Sequence, residues 1–505
     1  MSARPIALCA LAIAGVVGCR SHAEPMGERR EGLPPARGGV LHLASSGDLR
    51  GLDPAIAYDT ESQVFVDLIY ASLVAYDRAG NLVGDLAERW EESADGLNYR
   101  FFLRAQILMQ DGNALTADDV VRSAERALHP DTPCPGAQFF EHLAGLKEYQ
   151  ARKAEHLAGV VAEGDHVVRF TLTRPDPTFV HLLALSFLRP VCRSAGARYD
   201  DAFSTRACGA GAFSLASLDP GTAARLRRFD GYHDAAHVYL DGVELRMETP
   251  KLTQKMLFER GEIDFLYEFE RPDWVYFRTH PRWSKYGYEV IERATYGESL
   301  NTEMSPFTDV RVRQAFASAL NRPNLAKYTE GGSHVTGRVI PPGVPGNDDG
   351  YVGQTFDLPR ARKLMADAGF AFDPTRDLGG YPTPITYLTS EGDSSVRWAQ
   401  LVQYDLKQIG VQMQIRVVSF SQFLAMTGRP QTVQMGYVGW LMDFPDASNL
   451  FEARFASASI APEESQNVSF YRSAELDALL TRAHDERDPK RRAAMYSQAD
   501  RIVCD

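Results

Sequence analysis

Apolar and polar positions along this chain repeat with two different periods, and each change of period marks a new element. Val40, Leu41 and Leu43 predict a first strand, Leu52-Asp53-Pro54 a turn, and Val64, Leu68 and Ala71 one face of a helix from Glu61 to Leu73. Around the hairpin signal Asp95-Gly96, the alternation of Tyr99, Phe101 and Leu103 with Arg100, Phe102 and Arg104 predicts a half-buried strand in a small antiparallel sheet. Asp111-Gly112 is a further turn. Thr116 with Asp119 then opens a helix through Leu128, and Val167, Phe170 and Leu172 predict another strand. Gly209-Ala-Gly211 reads as a backbone turn before a strand with Phe213 and Leu215.

In the C-terminal half, helices and strands alternate. Asp309 caps a helix with Val312, Ala315, Phe316, Ala319 and Leu320 inward; Asp357 opens another, with Ala361 and Met365 inward, that stops at Gly369. A strand at Ile385 to Leu388, a helix burying Ala399, Val402, Leu406 and Ile409, and a strand alternating at Val411, Met413, Ile415 and Val417 form a unit that implies parallel pairing. Two last helices run from Ala474 to Ala483 and from Pro489 to Val503.

Between them, Gln434 to Asn449 carries the most chemistry. Its apolar first half suits a buried strand that Pro445 and Asp446 end in a turn, and Gly439, Trp440 and Asp443 sit at the junction. Gly lets a backbone approach closely, Trp offers a stacking surface, and a half-buried Asp can neutralise a ligand cation, so these three describe a pocket floor. The same residues also suit a core tryptophan and a turn-forming aspartate.

Composition narrows the classes. A chain of 505 residues with 44% hydrophobic composition needs two to four domains, and a net charge of −12 without basic blocks argues against nucleic acid. The apolar segment Ile6 to Val17 after Arg4 has the length of a signal-peptide core, and Val-Val-Gly-Cys19 resembles a bacterial lipoprotein box. We therefore expect a lipoprotein signal over 1–18, lipidation of Cys19, and a Pro-rich tether over 19–38. Of the four remaining cysteines, Cys192 and Cys208 flank a short polar segment and are the expected disulfide, although connectivity stays open at this level. His233-Asp-Ala-Ala-His237 has ligand spacing but no third ligand nearby, so a surface loop is expected, with neither metal nor cofactor. Hydrolase signatures such as Gly-x-Ser-x-Gly or His-Glu-x-x-His are missing, and no enzyme is expected.

Taken in order, several segments resemble the extracytoplasmic solute-binding proteins of family 5, the oligopeptide and dipeptide receptors of ABC importers. They include Leu52-Asp-Pro-Ala55, Leu86-Ala-Glu-Arg-Trp90, Leu115-Thr-Ala-Asp-Asp-Val120, Gly209 to Phe213, Gly261-Glu-Ile-Asp264, Pro306 to Ala315 and Gly439-Trp440 through Asp446. The resemblance spans nearly all of 39–505. It implies an α/β, two-lobed, hinged periplasmic-binding-protein fold of type II with an additional inserted α+β domain. The first lobe would comprise 39–77, 205–297 and 489–505, the insertion 78–204, and the second lobe 298–488. It further implies that Asp443 contacts a ligand ammonium while backbone at Gly439 and Trp440 pairs with an extended peptide, in a monomer that delivers its ligand to permease subunits. Ala212 stands where the family usually has proline, and family members continue beyond Asp505, so the C-terminal part of the first lobe is expected to be cut short or completed differently. A family-5 receptor for a sugar, nickel chelate or opine, a receptor without an importer, and an exported hydrolase are the alternatives.

Overall fold

The computed structural model describes residues 35–505 except 288, 291 and 329–331; Cys19 and the signal segment lie outside the described residues. Among the described residues there are three four-stranded sheets, each with its own apolar core. In the first, Val40–Ala44 pairs in parallel with Gly242–Arg246, and Ala223–Arg228 and Phe213–Asp219 follow antiparallel. The second is antiparallel throughout, in the order Ala87–Glu92, Asn98–Leu103, Val167–Thr171, Val160–Ala162. Tyr99, Phe101 and Leu103 face inward there, against Val168, Phe170 and the helix Ala117–Leu128. That helix starts with a capping box in which the Thr116 side chain and the Asp119 carboxylate satisfy each other's backbone N–H groups.

In the third sheet Ala294–Leu300 lies antiparallel to Met435–Leu441, followed in parallel by Ile385–Ser390 and Met413–Val418. The helix Asp393–Lys407 connects the last parallel pair and buries Ala399, Val402 and Leu406 against it, so the strand-helix-strand unit stands where the periodicity places it. Val310–Ala319 and Leu358–Asp367 complete this core, capped by Asp309 and Asp357 through the N–H groups of Arg311 and Arg360.

Three expectations change. The first helix is Thr60–Ile69 and buries Ser62, Phe65, Val66 and Ile69, whereas Val64 is 47% exposed. Both faces of this segment are apolar; the buried one is decided by the chain end, where Ile69 accepts from Gly211 N–H and Tyr70 donates its hydroxyl to the Leu52 carbonyl. A Cβ on Gly211 would come within 2.5 Å of the Ile69 backbone, which is why this turn carries glycine. Second, the boundary drawn between 297 and 298 cuts through Ala294–Leu300, all seven residues of which pair with Met435–Leu441. Third, the helix Pro489–Cys504 does not complete the first lobe. Its Tyr496 and Ala499 pack with Ile340, Phe451, Leu476 and Leu480, and Val339 N–H donates to Asp500 at 2.8 Å. This helix is amphipathic, and the surface that matches its apolar stripe belongs to the second lobe.

Two links tie the second sheet's block to the first. Cys192 and Cys208 form a disulfide with Cα atoms 5.4 Å apart. Asp53, in the loop before the first helix, makes a fully buried ion pair with Arg126 of Ala117–Leu128, with N–O distances of 2.6 and 3.1 Å. His233 Nε2 lies 3.1 Å from Asp85, distant in the chain, and His237 Nδ1 lies 2.6 Å from the neighbouring Asp234.

Candidate functional site

The strand Met435–Leu441 delivers the candidate residues to the place where the three blocks meet. From Met442 to Asp446 successive side chains reach into different parts of the molecule. Met442 enters the core of the C-terminal helices, while Phe444 is buried in the core of the inserted block, where it stacks on His181 at 6.0 Å. Asp446 binds Arg492 of the last helix through two bonds of 3.1 and 2.8 Å. Burial raises the Asp446 carboxyl, but the hydrogen bonds and charge of Arg492 outweigh it and hold it below the usual carboxylate range.

Asp443 points the other way. Its Oδ2 accepts from Asn449 Nδ2 at 2.8 Å, and its own N–H donates to Asn449 Oδ1 at 3.1 Å. That same Oδ1 takes the Trp440 indole N–H at 2.8 Å, so one buried asparagine fixes both the aspartate and the tryptophan. The remaining carboxylate oxygen, Oδ1, accepts from the hydroxyl of Tyr58, in the loop preceding the first helix. Tyr58 also lines a depression of about 260 Å³ together with Arg50, Gly51, Ile56, Ala57 and Asp59.

Gly439 and Trp440 occupy opposite faces of the strand. Gly439 is exposed, and the ring of Tyr296 from the paired strand lies across it: a Cβ there would meet that ring at 2.1 Å. Thus the close neighbour for which the glycine makes room is an aromatic ring and not a backbone. Trp440 is half-buried against the core of the C-terminal helices, with the Arg454 guanidinium 5.7 Å from its ring. Met435–Leu441 pairs with Ile385–Ser390 only at Met435 and Gly436; among the described residues, the edge of Val438 to Leu441 on that side carries no ladder partner.

Behind the strand sits a second carboxyl. Glu298, opposite Tyr437 in the sheet, accepts from the Trp398 indole at 2.8 Å and from Tyr387 at 3.3 Å with one oxygen, while the other is enclosed without a partner. Burial pushes its pKa up to about 7 against an ordinary 4.5, the two hydrogen bonds only partly opposing it. The folded state therefore keeps a proton that the unfolded chain releases above about pH 4.5, so this group's contribution to stability is whole below that pH and declines as pH rises towards 7. Glu298→Gln removes the titration. We expect the variant to gain on the wild type by at most about 3 kcal/mol between pH 4.5 and pH 8. Denaturation midpoints that differ by the same amount at both pH values would refute this.

With this geometry in place, comparison with known proteins is decisive. The sequence matches the bacterial extracellular solute-binding proteins, family 5 Middle, over residues 81–461. The chain belongs to this family. Curated family-5 relatives include the probable deoxycholate-binding periplasmic protein YgiS of Escherichia coli K12, 27% identical over 492 residues covering 92% of this chain and 86% of YgiS. The glutathione-binding protein GsiB of Salmonella typhimurium is 26% identical over 467 residues, covering 91% of this chain and 86% of GsiB. Among solved structures, the clavulanic acid biosynthesis oligopeptide binding protein 2 superposes with a TM-score of 0.83 at 22% identity, covering 93% of this chain and 88% of the other. The family-5 fold is thus a two-lobed α/β fold of the periplasmic binding proteins, and its members are extracytoplasmic solute-binding proteins, not enzymes.

The structure brings Gly439, Trp440 and Asp443 to one strand end, where Trp440 and Asp443 share Asn449 and Gly439 faces the Tyr296 ring. Asn449 and Tyr58 were not anticipated from sequence. Asn449 lies within the same stretch, six residues after Asp443, and its spacing to the turn was the available signal; Tyr58 is 385 residues away and had none.

Proposed function

We propose that this protein captures peptide-like ligands bearing a free ammonium group, closes its lobes over them, and hands them to the permease of an ABC importer. The observation that carries this reading is the placement of Asp443: a carboxylate fixed by Asn449 at the end of a strand, with one oxygen turned to the first lobe. A carboxylate so placed neutralises a cation that enters between the lobes. The unpaired edge from Val438 to Leu441 suits an extended peptide added as a further strand, a contact indifferent to side chains. On the neighbouring helix Phe420–Thr427, Phe423 packs against Leu388 and Val438 while Phe420 and Leu424 stay exposed, which supplies apolar surface for ligand side chains. The names of two similar proteins, one binding glutathione and one oligopeptides, agree with a peptide-like ligand.

An anchor at Cys19, motivated by Val-Val-Gly-Cys, would keep the receptor beside its permease, and two or more acyl chains are needed for durable attachment. Native mass spectrometry of protein purified from its producing cell tests both parts. We expect a co-purified ligand with a primary amine and an acylated N-terminal Cys19. A steroid or other anion in the cleft would favour the ligand class in the YgiS name instead, and an unmodified N-terminus would remove the anchor.

A further inference from the structure

We propose that Tyr58 is a latch: in the ligand-free protein its hydroxyl occupies the Asp443 oxygen that faces the first lobe and so holds the lobes together without a ligand. The proposal deepens the reading of Asp443 given above and rests on it for the identity of the group that later displaces the phenol. Three observations carry it. First, Asn449, from the helix Ser448–Arg454 that follows the turn, already takes Oδ2, so the hydroxyl of Tyr58 is the contact that spans the lobes at this carboxylate. Second, the loop that presents Tyr58 is rigidly held. Ala57 N–H donates to the Asp53 carbonyl at 2.9 Å, the Asp53 carboxylate is locked to Arg126, and Asp59 caps the helix that follows. Third, the Tyr58 ring packs on the buried Phe187 of the inserted block at 5.3 Å, so removing the hydroxyl alone leaves the ring seated.

Desolvation, and then the charge of Asp443, raise the phenol's pKa above its ordinary value, which keeps it a protonated donor. It is nevertheless a neutral donor. A ligand ammonium brings a full positive charge to the carboxylate and adds Coulomb attraction to the hydrogen bond, so exchange of phenol for ammonium at Asp443 runs toward the ligand. The latch therefore holds the cleft nearly closed through a hydrogen bond that the right ligand can replace.

Small-angle scattering on ligand-stripped protein tests this without any ligand, and so independently of whether Asp443 binds an ammonium. A hydrogen bond to a charged group shifts the closed-to-open ratio by about tenfold to a hundredfold. We expect Tyr58→Phe to enlarge the radius of gyration of the ligand-free protein relative to wild type. Asp443→Ala should enlarge it equally, and the double variant no further, because the bond that Asp443→Ala loses to Asn449 lies within one lobe and the bond lost between the lobes is the same in both variants. Equal radii for wild type and Tyr58→Phe, or additive opening in the double variant, would overturn the latch. Loss of ligand affinity in Asp443→Ala is a separate readout, and its absence would sink the ligand role of Asp443 and leave the latch standing.

Discussion

Asp443→Ala is expected to weaken binding of a peptide with a free N-terminus by about thirtyfold to several thousandfold. The ligand ammonium would lie in a water-poor cleft without its counter-charge, a penalty of about 2–5 kcal/mol. Acetylating the peptide's N-terminus removes the charge from the other side, so the wild type should lose affinity for the acetylated peptide while the variant barely distinguishes the two. Asp446, three residues on, is the control. Its carboxylate is committed to Arg492 and to the N–H of Ser448, so Asp446→Ala lowers stability and leaves the ligand's partner in place. Calorimetric titration separates the pair. Equal affinities of wild type and Asp443→Ala would remove the ammonium role from this position and bring the non-peptide ligand class forward.

The second large effect is on stability. Arg126→Met leaves the Asp53 carboxylate at 0% exposure without its partner, and breaking a buried pair from one side costs about 3–5 kcal/mol. Asp53 also accepts the N–H of Ala55, and Arg126 lies 5.0 Å over the Phe203 ring, so the pair organises the loop as well as neutralising it. The double variant Asp53→Asn with Arg126→Met carries no unpaired charge and should be less destabilised than Arg126→Met alone. Denaturant melts followed by far-UV circular dichroism would measure this. If Arg126→Met unfolds at the wild-type denaturant concentration, the pair contributes nothing to the fold.

Much of the second lobe was legible in the sequence because its periods are strong. The run from Ile385 through Val417 alternates strand, helix and strand, and the parallel pairing buries Ile385, Leu388, Ala399, Val402, Leu406, Ile409 and Met413, whereas Val417 at the end of the last strand is 46% exposed. Elsewhere the period told that a segment is amphipathic but not what covers it. Thr60–Ile69 has two apolar faces, and the choice between them depends on contacts with Gly211 and Leu52 that no local pattern records. Tyr496 and Ala499 would fit any helical core; that they meet Phe451 and Leu480 is a property of shape.

The site shows the same division. Asp443 and Trp440 were visible as chemistry concentrated at a strand end. That Asn449 holds both, and that a ring from Tyr296 fills the space over Gly439, required the paired strand and the following helix to be in place. Tyr58 joins them only through the approach of two lobes, which lies beyond the reach of a pattern read along the chain.

The segment Met442 to Asp446 has a consequence for how this receptor can change. Surface turns commonly accept insertions and deletions because their side chains owe nothing to the rest of the molecule. Here Met442, Asp443, Phe444 and Asp446 engage the C-terminal core, Tyr58, the inserted block and Arg492 in turn. Adding or removing one residue would hand each of those partners the wrong side chain at once. Length variation should therefore be barred from this turn, and new ligand preferences would have to come from substitutions on the walls around it.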